Sequence, residues 1–104
     1  MAQFAVFPNP LEALRATHPW VVEVQSRLLK HPVALIGIPL ARLEPGTTAV
    51  ATLNPRLHVE GEPYVLETLA IGSYEPGDLR GSIANLYDQA NAIWDALDFA
   101  LHGY

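Results

Sequence analysis

Apolar and polar residues alternate, or gather in short runs, over most of the chain, and change to a helical period only near its end. Phe4 and Val6 alternate with Ala5 and Phe7, which predicts a first strand over 3–7. Asn9, Pro10 and Glu12 offer an N-cap, a proline at the first helical position and an acid three residues after the cap, so 10–15 is predicted as a helical turn. Over 20–26, Val22, Val24 and Ser26 share one face and Val21, Glu23 and Gln25 the other, the pattern of a half-buried second strand. Residues 33–41 are nearly all apolar and predict a third strand buried on both faces, with Pro39 leaving a gap in its ladder at an edge or bulge. Segments 56–60 and 62–68 flank Gly61 and read as a tight hairpin, followed by a short strand over 69–74. Glu44-Pro45-Gly46 and Glu75-Pro76-Gly77 repeat one turn signal: proline presets one dihedral and glycine accepts a positive one.

The end of the chain has a different rhythm. Ile83, Leu86, Ala90, Ile93, Leu97 and Leu101 are spaced by three or four, one stripe of an amphipathic helix over 83–101. Ser82 is the expected N-cap and Gly103 the stop. The opposite face carries Asn85, Asp88, Gln89, Asn91, Asp95 and Asp98. Asp95 and Asp98 fall in the last two turns, where the helix dipole disfavours an anion by about 0.3–1 kcal/mol. Either a cation elsewhere pairs with them or the helix end has a task besides stability.

Composition narrows the class. The 104 residues suit one domain, 1–104, with no linker or low-complexity stretch; half are apolar and 16% charged, which excludes general disorder. No cysteine occurs, which removes disulfides, thiolate zinc sites and cysteine nucleophiles and suits a reducing cytoplasm. No secretory leader is expected, and the longest apolar run, 32–41, is too short and too proline-rich for a membrane span. Six basic residues against eleven acidic ones give a net charge of -5, which speaks against direct nucleic-acid binding. Residues 81–104 contain Asp88, Asp95 and Asp98 and no Lys or Arg; this is a solvated acidic face or a docking surface for a basic protein.

Catalytic chemistry is not visible. His18, His31, His58 and His102 share no ligand spacing, and Ser26, Ser73 and Ser82 lack the surroundings of a nucleophile. No glycine-rich phosphate loop occurs. His58 reads as a hydrogen-bonded structural histidine in its strand, and Trp20, Tyr64, Tyr74 and Trp94 as core or interface aromatics. Neither a catalytic set, a metal nor a cofactor is expected, and the residues alone describe a protein-binding module.

Several segments together resemble the CcdB family, the toxins of toxin–antitoxin pairs. Gln3-Phe4-Ala5-Val6-Phe7 is similar to its opening strand, and Val22-Glu23-Val24-Gln25-Ser26 followed by Leu28-Leu29 to its second. Ile38-Pro39-Leu40-Ala41 resembles an Ile-Pro-Leu-Ala motif, and His58-Val59 a His-Ile step. From His58 the rest aligns without a gap, ending in a helix closed by a bulky residue, glycine and one final residue. The resemblance implies a mainly β fold with a C-terminal α-helix, a compact SH3-like antiparallel barrel of the CcdB/MazF type. It implies a homodimer that performs no chemistry, binds the A subunit of DNA gyrase and traps the enzyme on cleaved DNA. A CcdA-like antitoxin would neutralise it, and operator DNA would be bound only through that antitoxin. The implied gyrase-binding residues are Leu28, Leu29, Asp98, Leu101, His102, Gly103 and Tyr104.

The departures fall at that surface. Well-known members have Asn, Phe, Trp and Ile where this chain has Asp98, Leu101, His102 and Tyr104. A tryptophan face on an arginine gives about 0.5–2 kcal/mol of cation–π attraction, and imidazole is a poorer platform. Gly103 keeps a close backbone approach possible. Two alternatives stand beside a working toxin: a MazF/Kid-like endoribonuclease on the same barrel, and an inactive member that only binds its antitoxin.

Overall fold

The computed structural model describes residues 3–26, 28–29, 32–44 and 49–103. Strands β1 (Ala5–Pro8), β2 (Trp20–Glu23) and β3 (Leu35–Arg42) run antiparallel in succession. The hairpin of β4 (Arg56–Val59) and β5 (Glu62–Leu66) joins them through β5 on β3. Short β6 (Gly72–Tyr74) also pairs with β3, and β7 (Ala84–Asn85) with β1. The sheet path is β4-β5-β3-β2-β1-β7 with β6 branching from β3, an antiparallel half-barrel completed by one helix, α1 (Ala90–His102). This is the mainly β fold with a C-terminal helix that the resemblance implied. No helix among the described residues is long and apolar enough to cross a membrane.

Alternation decides which side each strand residue fills. Phe4, Val6, Val22, Ile38, Leu40 and Leu66 face the larger core, which α1 covers with Ile93 and Ala96. Ala5, Phe7, Val21, Leu35 and Leu79 form a second cluster on the other face. The second strand is therefore not half-buried: Val21, Glu23 and Gln25 are as enclosed as Val22 and Val24. Where β2 ends, the Gln25 side chain continues the pairing, donating to the Ala34 carbonyl at 3.0 Å and accepting the Ile36 N–H at 3.1 Å.

Pro39 is neither on an edge strand nor in a bulge. It lies opposite Val21, and on its other side β3 changes partner from β6, through Gly37, to β5, from Leu40 onward. A residue without an N–H costs nothing where no ladder strand faces it. Its carbonyl still accepts the Glu67 N–H at 3.0 Å.

The hairpin turn is the tight one expected, and it needs two left-handed residues. Glu60 has φ 51° and Gly61 φ 83°, the signs of a type I′ turn. Glycine adopts this freely, whereas a side chain costs about 1–2 kcal/mol. Glu60→Asn, better suited to positive φ, should raise stability by about 0.5–1 kcal/mol. An unchanged or lower urea midpoint would show that Glu60 is not strained.

Several expected boundaries move. The turn over 10–15 contracts to a 3-10 turn at Glu12–Leu14 without a side-chain cap. Buried Asn9 staples the loop instead, accepting the Leu11 N–H and donating to the His18 carbonyl, both at 2.9 Å. The strand over 69–74 is a 3-10 turn at Thr68–Ala70 followed by β6. The Glu75-Pro76-Gly77 signal forms a 3-10 turn at Pro76–Asp78, and the positive φ falls on Gly81 rather than Gly77. Residues 45–48, which include Pro45 and Gly46 of the other turn signal, lie outside the described residues.

The largest change is the helix start. Ile83 donates its N–H to the Val6 carbonyl and Leu86 to the Phe4 carbonyl, both at 2.9 Å, so this stretch belongs to the sheet. Ser82 caps nothing; its hydroxyl bonds the Ala84 carbonyl at 3.1 Å. A 3-10 turn at Tyr87–Gln89 then leads into α1. Gln89 leaves the acidic face, taking the His58 N–H and donating to the His58 carbonyl, each at 2.8 Å. His58 pairs with Pro63 in the ladder, and its own N–H and carbonyl point away from that strand. The Gln89 amide thus serves the open edge of β4.

Candidate functional site

The last turn of α1 outruns the core. Ile93 and Ala96 are its fully buried residues, and beyond them Asp98, Leu101, His102 and Gly103 are exposed, Leu101 by 75%. Spacing of three and four from Asp98 brings Leu101 and His102 onto its side of the helix. Gly103 ends α1 in the left-handed conformation, φ 80°, donating its N–H to the Phe99 carbonyl at 2.9 Å. Tyr104 lies outside the described residues.

Leu28 and Leu29 come from the connection between β2 and β3. Ser26 builds their turn: its hydroxyl accepts the Leu28 N–H at 3.1 Å and its carbonyl the Leu29 N–H at 3.2 Å. The pair is thereby turned outward, 88% and 58% exposed. The six expected site residues that are described therefore divide between two segments, with Asp98, Leu101, His102 and Gly103 gathered at the helix end.

Asp95 and Asp98 are exposed on α1 towards its C-terminal end. Among the described residues no ion pair forms with Asp95 or Asp98; His18 and Glu67 lie within 3.4 Å of each other elsewhere in the fold. Arg15, Arg42 and Arg80 direct their Nε groups to the carbonyls of Asn9, Ala16 and Gly77. The cation partner considered from the sequence is thus not found among the described residues. The negative end of α1 faces solvent.

The described residues hold no group of three or more His, Asp or Glu placed to bind a metal. His58 is exposed, and its backbone rather than its ring takes part in the structure, unlike the hydrogen-bonded histidine expected. Glu23 is the buried carboxyl, 3% exposed, opposite Gly37, with its Oε1 unpartnered. Burial pushes its pKa above the usual carboxylate range. A carboxyl raised in the folded state contributes its stability below the unfolded pKa and loses it as pH rises through the folded value. Glu23→Gln should therefore resemble the native protein near about pH 4 and exceed it in urea midpoint near about pH 8. A difference that shrinks as pH rises would contradict this.

Trp94 is among the aromatics expected in the core or at an interface, and Tyr87 carries no expectation from the pattern. Both remain open to solvent, by 42% and 76%. Their spacing of seven from each other, and of seven again to Leu101, is the signal that marks one side of the segment.

Residues 3–103, nearly the whole chain, match the family model described as CcdB protein. No curated protein matches the chain.

Proposed function

The chain belongs to the CcdB family, the toxins of toxin–antitoxin pairs, and from that premise we propose that it poisons DNA gyrase. In this reading it binds the gyrase A chain, holds the enzyme on cleaved DNA, and itself makes and breaks no bond. The observation that carries the reading is the last turn of α1: Asp98, Leu101 and His102 stand beyond the core, ended by a left-handed Gly103.

A surface of this kind works by docking. Leu101, His102 and Tyr104, together with Leu28 and Leu29, supply apolar and aromatic area, and Asp98 supplies charge for an arginine-bearing target. A homodimer presents the set twice around its two-fold axis, so one patch holds two copies of each residue. A CcdA-like antitoxin withdraws the toxin from gyrase, and operator DNA is reached only through that antitoxin. The cytoplasm is where these partners meet.

The ribonuclease alternative needs a basic groove, and three of the arginines are engaged with loop carbonyls of their own chain. The test is supercoiling by purified gyrase with the protein added. Inhibition accompanied by linear DNA after denaturation is expected. Full supercoiling activity in the presence of folded protein would leave the antitoxin-binding, inactive alternative.

A further inference from the structure

We propose that the notch between the residues just ahead of β1 and the start of α1 receives an arginine side chain presented by a protein partner. The notch is about 360 Å³ and is bordered by Gln3, Phe4, Tyr87, Asp88, Asn91 and Trp94. It is built from residues 3 and 4 ahead of β1, the turn at Tyr87–Gln89 and the first turns of α1, and stands apart from the gyrase reading of the helix end.

Phe4 makes the floor. Its φ of 70° lies in the left-handed region that a bulky side chain rarely adopts. Its N–H donates to the Glu23 carbonyl at 2.6 Å, and its carbonyl accepts the Leu86 N–H at 2.9 Å, which fixes this conformation between β2 and the segment before α1. The ring meets Trp94 edge-on, 78° between planes and 5.4 Å between centroids, and Tyr87 at 6.4 Å. Phe4 is 1% exposed, whereas Tyr87 and Trp94 remain open. Docking the helix requires only the buried ring. It does not explain two further aromatics held around a concavity in water.

Charge selects the occupant. Asp88 is exposed at the rim, and it is the charged side chain among the described residues that border the notch. A guanidinium is planar, stacks on indole and phenol faces, and donates paired N–H groups to a carboxylate. A proline-rich segment would use the same aromatic faces but would have no use for Asp88. The helix N-terminus favours Asp88 and opposes a cation, so one arginine should bind weakly and the partner's other contacts must add affinity.

The test is NMR titration of the 15N-labelled protein with acetyl-arginine amide. The Trp94 indole N–H should shift saturably. Trp20, whose indole nitrogen is buried, is the internal control and should not move. Asp88→Asn and Tyr87→Ala, both at exposed positions, should each weaken the response by about fivefold or more. The proposal is overturned by the absence of a saturable shift, by an equal response to acetyl-glutamine amide or acetyl-proline amide, or by native affinity in Asp88→Asn.

Discussion

Deleting residues 102–104 is expected to abolish inhibition of gyrase supercoiling and growth arrest while leaving the fold and antitoxin binding in place. The inward contacts of α1 centre on buried Ile93 and Ala96, with Ala90, Ala92 and Leu97 packed beside them, all before the deletion point. The fold loses the left-handed cap at Gly103, the last residue of α1 and the interaction that His102 makes, together on the order of 1 kcal/mol. For a domain of this size that corresponds to a fall in thermal midpoint of about 4–8 °C. The docking surface, in contrast, loses His102 and Tyr104 in both protomers of a dimer, and a few central residues carry most of an interface's energy. Supercoiling assays and thermal scans on the same preparation separate the two effects. Poisoning that survives the deletion, or a chain that no longer folds, would place the surface elsewhere.

Ile93→Ala should do the opposite and act through stability. Ile93 is fully buried between α1 and the larger core, so truncation removes methyl groups and leaves a cavity among Phe4, Val6, Leu57 and their neighbours. The expected cost is about 2–5 kcal/mol, a large part of the roughly 5–15 kcal/mol that holds an ordinary domain. Leu97→Ala should cost less: Leu97 is only partly buried and the site is open to water. Urea unfolding of both variants checks the order. A loss under about 1 kcal/mol for Ile93→Ala would mean that α1 is not packed on the sheet as described.

The two expectations differ because one helix does two things along its length. Its first turns are buried by the sheet, and its last turn extends beyond it. The apolar stripe read from spacing alone ran uniformly from Ile83 to Leu101, yet Ile83 and Leu86 bond β1 and Leu101 is exposed. Periodicity reports which residues share a side; it does not report how far the neighbouring element reaches.

Much was legible locally because local rules set it. Alternation gave the strands, Gly61 gave the hairpin turn, Gly103 gave the helix stop, and a run of weak motifs in order gave the family. The outward position of Leu28 and Leu29 also has a local cause, the Ser26 turn. Other features depended on partners far along the chain. The sheet claimed residues 83–86, and Pro39 found the gap between β5 and β6. Gln89 crossed to His58, 31 positions away, and Phe4 came to rest between Tyr87 and Trp94. A backbone group satisfied by a distant strand is as well satisfied as one within a helix turn, and only the folded chain decides between them. The sequence by itself therefore determined the fold class, the family and the chemistry of each site residue. Tertiary structure decided which residues lie buried and which are exposed, because burial is set by contacts between segments that sequence spacing does not encode.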